Sequence, residues 1–96
     1  PDVASQLYHI AQEALNNVVR HASATRIEVT LRKDGPDVVL TIGDDGVGLA
    51  SIQKDDSGRG LRFMRYRAST VHGSLKIVRK KEGGTAVICR VPFSPA

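Results

Sequence analysis

The stretch Arg26-Ile27-Glu28-Val29-Thr30-Leu31-Arg32-Lys33-Asp34-Gly35-Pro36-Asp37-Val38-Val39-Leu40-Thr41-Ile42-Gly43-Asp44-Asp45-Gly46-Val47-Gly48 decides how this chain folds. From Arg26 to Arg32 the residues alternate, with Ile27, Val29 and Leu31 on one face and Glu28 and Thr30 on the other. That is the period of a strand with one buried face. Asp34-Gly35-Pro36-Asp37 is a cluster of turn formers, and Val38 to Ile42 returns as the second strand of a hairpin. This hairpin runs directly into adjacent carboxylates and glycines. Ser74 to Val78 and Thr85 to Val91 repeat the arrangement around Glu82-Gly83-Gly84.

Each hairpin follows a helical pattern. Val3, Leu7, Ile10, Ala14 and Val18 recur at three- and four-residue steps, which predicts a helix to about Arg20. It breaks near Ala22-Ser23-Ala24-Thr25. Leu61, Met64, Ala68 and Val71 restore the same spacing up to His72-Gly73, where glycine can end a helix. Helix, two strands, glycine-rich loop, helix, two strands is the order of an α+β fold. It predicts a two-layer α/β sandwich, a mixed and mostly antiparallel sheet covered on one face by helices. The first helix opens in register without a cap, so the expectation is a piece cut from a longer protein.

Ninety-six residues allow one domain spanning 1–96 and exclude a two-domain enzyme. No apolar run approaches the ~18 residues of a membrane span, and no signal peptide is recognisable. The single cysteine, Cys89, excludes an internal disulfide framework, reads as a small buried hydrophobe, and points to a reducing cytoplasm. His9, His21 and His72 are too scattered to cage a metal with it. The net charge of +4 hides an asymmetry. Residues 1–58 carry five Lys/Arg against nine Asp/Glu, and residues 59–96 carry nine against one. Such a split suits a site where acidic groups handle a base or metal and basic groups handle phosphate.

Gly46-x-Gly48 and Gly58-x-Gly60 bracket a polar loop from Leu49 to Ser57. Glycines let backbone approach a ligand closely, and the second pair leads into a helix whose free N–H groups favour an anion. Neither pair is a dinucleotide fingerprint, because Ser51 and Phe63 stand where a third glycine is needed, and no P-loop lysine follows. On the first helix Glu13, Asn17, Arg20 and His21 share one face roughly 90° from the apolar stripe, at ~100° per residue. A carboxylate, a carboxamide and a guanidinium there can position a hydroxyl, ligate Mg²⁺ through oxygen and hold a phosphate. The plainer reading is a solvated helix face. Asp44-Asp45 at a strand end can bind a cation or accept from a base amine, or can be simple turn chemistry.

Together these pieces resemble the ATP-binding catalytic domain of sensor histidine kinases, in the ATPase superfamily shared with gyrase and MutL. Gln12-Glu13-Ala14-Leu15-Asn16-Asn17-Val18-Val19-Arg20-His21-Ala22 looks like that family's asparagine box. Asp44-Asp45-Gly46-Val47-Gly48-Leu49 looks like its first glycine box and Gly58-Arg59-Gly60-Leu61 like its second. Gly83-Gly84-Thr85 matches its late Gly-Thr, and the Arg-His-Ala form points to the subgroup of nitrate sensors and thermosensors. Asp45 stands where Asn is common, and His72-Gly73 replaces a frequent Gly-Gly.

The resemblance implies a Bergerat-type ATP-binding fold and assigns roles. Glu13 would polarise or deprotonate the nucleophile, and Asn17 would coordinate Mg²⁺ at the triphosphate. Arg20 would meet phosphate, with His21 beside the nucleoside. Asp44 would accept the adenine amine, with Thr85 assisting. Gly46, Gly48, Gly58 and Gly60 would shape a mobile lid over the phosphates, and these with Arg59 and Leu61 would contact ATP. It further implies a transferase in two-component signalling, supplying the γ-phosphoryl group to a histidine on an upstream helical dimerisation domain and, indirectly, to a response regulator. The isolated domain is expected to be a cytoplasmic monomer that binds ATP without autophosphorylating, the full-length protein being compatible with a membrane anchor elsewhere.

Two alternatives stay open. A serine kinase acting on anti-sigma antagonists has a similar pocket. The basic stretch Arg59 to Lys81 also suits a nucleic-acid-binding module, against which stands the scarcity of aromatics (Tyr8, Phe63, Tyr66 and Phe93) for stacking bases.

Overall fold

Two helices lie on one face of a four-stranded sheet. The computed structural model describes residues 2–22, 25–46 and 57–93, at 21, 22 and 57–59 through the backbone alone. In chain order the elements are α1 (Val3–Asn17), a π-helical turn (Val18–Ala22), β1 (Ile27–Asp34), β2 (Asp37–Asp44), α2 (Ser57–Ser69), β3 (Ser74–Arg79) and β4 (Thr85–Pro92). Strand order is β1-β2-β4-β3, and all three pairings are antiparallel. The crossover through α2 carries β3 past the sheet's middle, so β4 returns between β3 and β2.

Register follows the alternation. Leu31, Leu40, Cys89 and Leu75 stand side by side on the helix-facing side, as do Val29, Ile42, Val87 and Ile77. Against them α1 buries Leu7, Ile10 and Ala14, and α2 buries Leu61, Met64 and Ala68, with Val71 just beyond its end. The helical stripes read from spacing are the ones that form the core. Full burial of side chains such as Ile10, Ile42 and Met64 contributes about 1.5–3 kcal/mol each.

One strand departs from the expectation of a buried face. The inward side chains of β1, Ile27, Val29 and Leu31, are 40%, 48% and 62% exposed. The reason is geometric: β1 is a sheet edge, and α1 packs on β2 and β4 instead. An apolar groove of about 500 Å³ therefore runs between α1 and β1, lined among others by Val3, Leu7, Tyr8, Leu31, Leu40 and Phe93.

The helix ends also differ from the sequence expectation. Asp2 occupies the cap position of α1 without a side-chain cap bond, in keeping with the uncapped start. Regular α-helix stops at Asn17, where the Val18 N–H is shared between the carbonyls of Ala14 and Leu15 and the chain widens into a π turn. Helix α2 begins at Ser57 rather than Leu61, so Gly58 and Gly60 belong to its first turn. It closes with Gly73 N–H on the Ala68 carbonyl (2.8 Å) and His72 N–H on that of Ser69 (3.1 Å). His72 holds the left-handed position with φ 61°. That bond pair is a Schellman cap, in which glycine is the usual occupant.

Candidate functional site

Glu13 and Asn17 are one helical turn apart on α1, and both face the first turn of α2. A β-carbon at Gly60 would lie 2.8 Å from Glu13 Oε2 and 3.3 Å from Asn17 Nδ2. A side chain at this position would have to displace the Glu13 carboxylate and crowd the Asn17 carboxamide. Asn17 is 4% exposed, yet its Nδ2 has no hydrogen-bond partner among the described residues. A buried donor without a partner costs about 1–3 kcal/mol, which polar groups inside folded proteins otherwise avoid. Here it faces the N-terminus of a helix, where free N–H groups and the helix dipole favour an anion.

The second cluster lies at the same end of the sandwich, where α1 ends, β2 ends and β4 begins. Asp44 is 5% exposed and pairs directly with Thr85, 4% exposed, across the β2–β4 ladder. Its Oδ1 accepts the Gly46 N–H at 2.8 Å. Gly84, at φ 94°, lets the turn before β4 close on this strand: a β-carbon there would lie 1.9 Å from the Asp44 carbonyl oxygen. The late glycine and threonine are thus drawn to Asp44 by strand order, although 40 residues separate them.

Asp45 does not share this environment. Its Oδ1 accepts from the Thr25 and Arg26 N–H groups at 2.9 and 3.0 Å, and its Oδ2 from Thr25 Oγ1 at 2.7 Å. These bonds, the Thr25 hydroxyl foremost, favour the ionised carboxylate and hold its pKa below the usual 3.8, at about 2. Of the two adjacent carboxylates, Asp45 is committed to the chain entering β1. The sequence reading missed this staple; its signal was the hairpin register, which places Asp45 beside Arg26 once Asp44 pairs with Ile27.

The remaining site candidates lie on several elements. Arg20 lies exposed in the π turn, which breaks the regular helical face that grouped it with Glu13 and Asn17. His21 shares that turn through its backbone, Gly58 and Arg59 lie in the first turn of α2, and Gly48 falls outside the described residues. Leu61 packs into the core. Cys89 is fully buried, which pushes its thiol up to about 11. Of the basic residues, Arg67 stacks on Phe63 at 4.5 Å and donates to Gln6 Oε1 at 3.0 Å. Arg90 bridges Asp34 and Asp37 at 2.8 and 3.0 Å.

No group of three or more His, Cys, Asp or Glu among the described residues is placed to hold a metal by itself. The oxygen donors of Glu13 and Asn17 nonetheless suit a hard cation such as Mg²⁺ when an anionic ligand completes its shell. No helix among the described residues is long and apolar enough to cross a membrane.

The chain is similar to the sensor histidine kinase MctS of Rhizobium johnstonii, 40% identical over 92% of this chain and 20% of the relative. It is 35% identical to the nitrate/nitrite sensor protein NarX of Escherichia coli, over 96% of this chain and 15% of the relative. It therefore spans about a fifth or less of either protein. Among solved structures, the ATP-binding domain of PrrB from Mycobacterium tuberculosis superposes with a TM-score of 0.78 at 21% identity. That match covers 94% of this chain and 68% of PrrB's. Full-length ShkA in complex with AMPPNP gives 0.79 at 24% identity, over 95% and 22%. These two likenesses show the fold. The model of one family matches residues 2–95, and the chain belongs to it: the histidine kinase-, DNA gyrase B- and HSP90-like ATPases.

Proposed function

We propose that this domain binds ATP with Mg²⁺ and presents its γ-phosphoryl group to a histidine on a helical dimerisation domain elsewhere in a longer sensor kinase. One observation carries the reading. A buried Asn17 carboxamide, its Nδ2 without a partner among the described residues, and the Glu13 carboxylate meet Gly60 at the start of α2, at the end of the sandwich where Asp44 and Thr85 lie buried. The unpartnered Nδ2 would donate to a phosphate oxygen, and the carboxamide oxygen would hold Mg²⁺. That ion supplies charge neutralisation along the triphosphate. Glu13 would accept the proton of the attacking nucleophile. Asp44 would accept the adenine amine at Oδ2, because Oδ1 is already engaged by Gly46.

The 96 residues would constitute the ATP-binding domain alone, with the phosphoacceptor and dimerisation helices outside it. The domain would work in the cytoplasm, with any membrane anchor in another part of the protein. The test is titration calorimetry with a non-hydrolysable ATP analogue, with and without Mg²⁺, on the native chain and Asn17→Ala. Mg²⁺-dependent binding that loses its metal dependence in Asn17→Ala supports the reading. Unchanged metal dependence in the variant rules out Asn17 as the metal-side group.

A further inference from the structure

We infer that Asp45 is a positioning residue for base recognition, fixing Asp44 by stapling the strand end to the chain that enters β1. This rests on reading Asp44 as the acceptor of the adenine amine. The β1–β2 ladder ends at the Ile27–Asp44 pair, where antiparallel strands ordinarily fray. Here four hydrogen bonds continue it. Asp45 N–H donates to the Arg26 carbonyl at 3.3 Å, and its carboxylate accepts three donors from Thr25 and Arg26.

Asp45 is exposed, so this cluster adds nothing to the core. What it fixes is the middle residue of the turn in which Asp44 Oδ1 accepts from Gly46 N–H. Gly84 presses on the other side, with a built β-carbon 2.8 Å from Asp45 Cα as well as against the Asp44 carbonyl. Asp44 is thus held between β4 and the staple, and the direction of its carboxylate follows from both. Loosening the staple frees the turn and the carboxylate together, while Glu13, Asn17 and Gly60 sit on other elements.

The loss should therefore fall on the base and spare the phosphates. Asparagine at 45 preserves the staple, since its oxygen can accept both N–H groups and its nitrogen can donate to Thr25 Oγ1. The experiment is calorimetry on the native chain, Asp45→Ala, Asp45→Asn and Thr25→Val, with two probes: a non-hydrolysable ATP analogue with Mg²⁺, and inorganic tripolyphosphate with Mg²⁺. Asp45→Ala should weaken the analogue about tenfold and Thr25→Val about threefold, with tripolyphosphate changed less than about twofold and Asp45→Asn close to native. Thr25→Val removes one bond only and keeps the test decisive should Asp45→Ala fold poorly. The inference falls if these variants hold the analogue as tightly as the native chain, if both probes weaken equally, or if Asp45→Asn does not restore binding. A native chain that binds no analogue, or one indifferent to Asp44→Asn, overturns instead the underlying assignment of Asp44.

Discussion

Asp44→Asn changes one atom in a buried side chain, and the hydrogen bond already made there fixes what the change does. Asp44 Oδ1 accepts the Gly46 N–H at 2.8 Å. In the asparagine variant the carboxamide oxygen keeps that bond, because the nitrogen cannot accept it. The NH₂ group then occupies the Oδ2 position and, on the proposed role of Asp44, would meet the adenine amine donor to donor. One bond is lost and a buried donor is left without an acceptor, together about 1–3 kcal/mol. That corresponds to roughly 5- to 150-fold weaker binding of an ATP analogue. Guanine offers a carbonyl oxygen at the same edge, so the proposed role predicts that the native chain prefers adenine over guanine nucleotides and that the variant loses much of that preference. Size and shape are conserved, so the thermal midpoint should move little. Calorimetric titration with paired ATP and GTP analogues measures both affinities. An ATP-analogue affinity within about twofold of native, with an unchanged adenine-to-guanine ratio, would refute the assignment of Asp44 to the base.

Three other perturbations have determined signs. Gly60→Ala adds helix propensity worth up to about 1 kcal/mol, so melting should hold or rise. Its β-carbon, 2.8 Å from Glu13 Oε2, should nevertheless weaken nucleotide binding about tenfold or more in calorimetry. His72→Gly relieves a left-handed residue whose side chain is exposed. It should stabilise by about 1 kcal/mol, seen as a rise of roughly 4–8 °C in thermal midpoint with nucleotide affinity unchanged. Asp45 ionises more readily folded than unfolded, so the unfolded chain binds more protons between pH 3.8 and about 2. Its stabilisation is complete above that window and is lost as pH falls through it. Acid titration of the thermal midpoint should therefore be flatter in Asp45→Asn than in the native chain.

Most of the architecture was legible because periodicity and packing agree. Every apolar residue placed on the α2 stripe, Leu61, Met64, Ala68 and Val71, is buried. Alternation alone failed on β1. It reports which side chains share a face, and it carries no information on whether a neighbouring layer reaches that face. Ile27, Val29 and Leu31 share their face with Ile42 and Leu40 and remain exposed because α1 lies over the inner strands. The grouping of Arg20 with Glu13 and Asn17 assumes that the regular helix continues through Arg20. A constant ~100° per residue describes only regular helix, and the π turn after Asn17 ends that geometry.

The site itself was legible through its glycines, which carry tertiary information that apolar patterning does not. Two antiparallel hairpins joined by a helix are compatible with a simple meander, in which the end of β2 would neighbour β3. Asp44 would then lie beside Ser74, and a turn glycine ahead of β4 would have no reason to be small on that side. In the order β1-β2-β4-β3, Asp44 instead faces Thr85, and the chain preceding β4 must pass against the Asp44 carbonyl, where any β-carbon would overlap it. Gly60 marks a softer approach between the helices, where a β-carbon would meet the side-chain ends of Glu13 and Asn17. What a β-carbon would meet at each position ties local composition to a tertiary approach, of the chain before β4 to Asp44 and of α2 to α1. The bonds of Asp45 were not legible because its partners, Thr25 and Arg26, become neighbours only through register, and neither residue type is distinctive there.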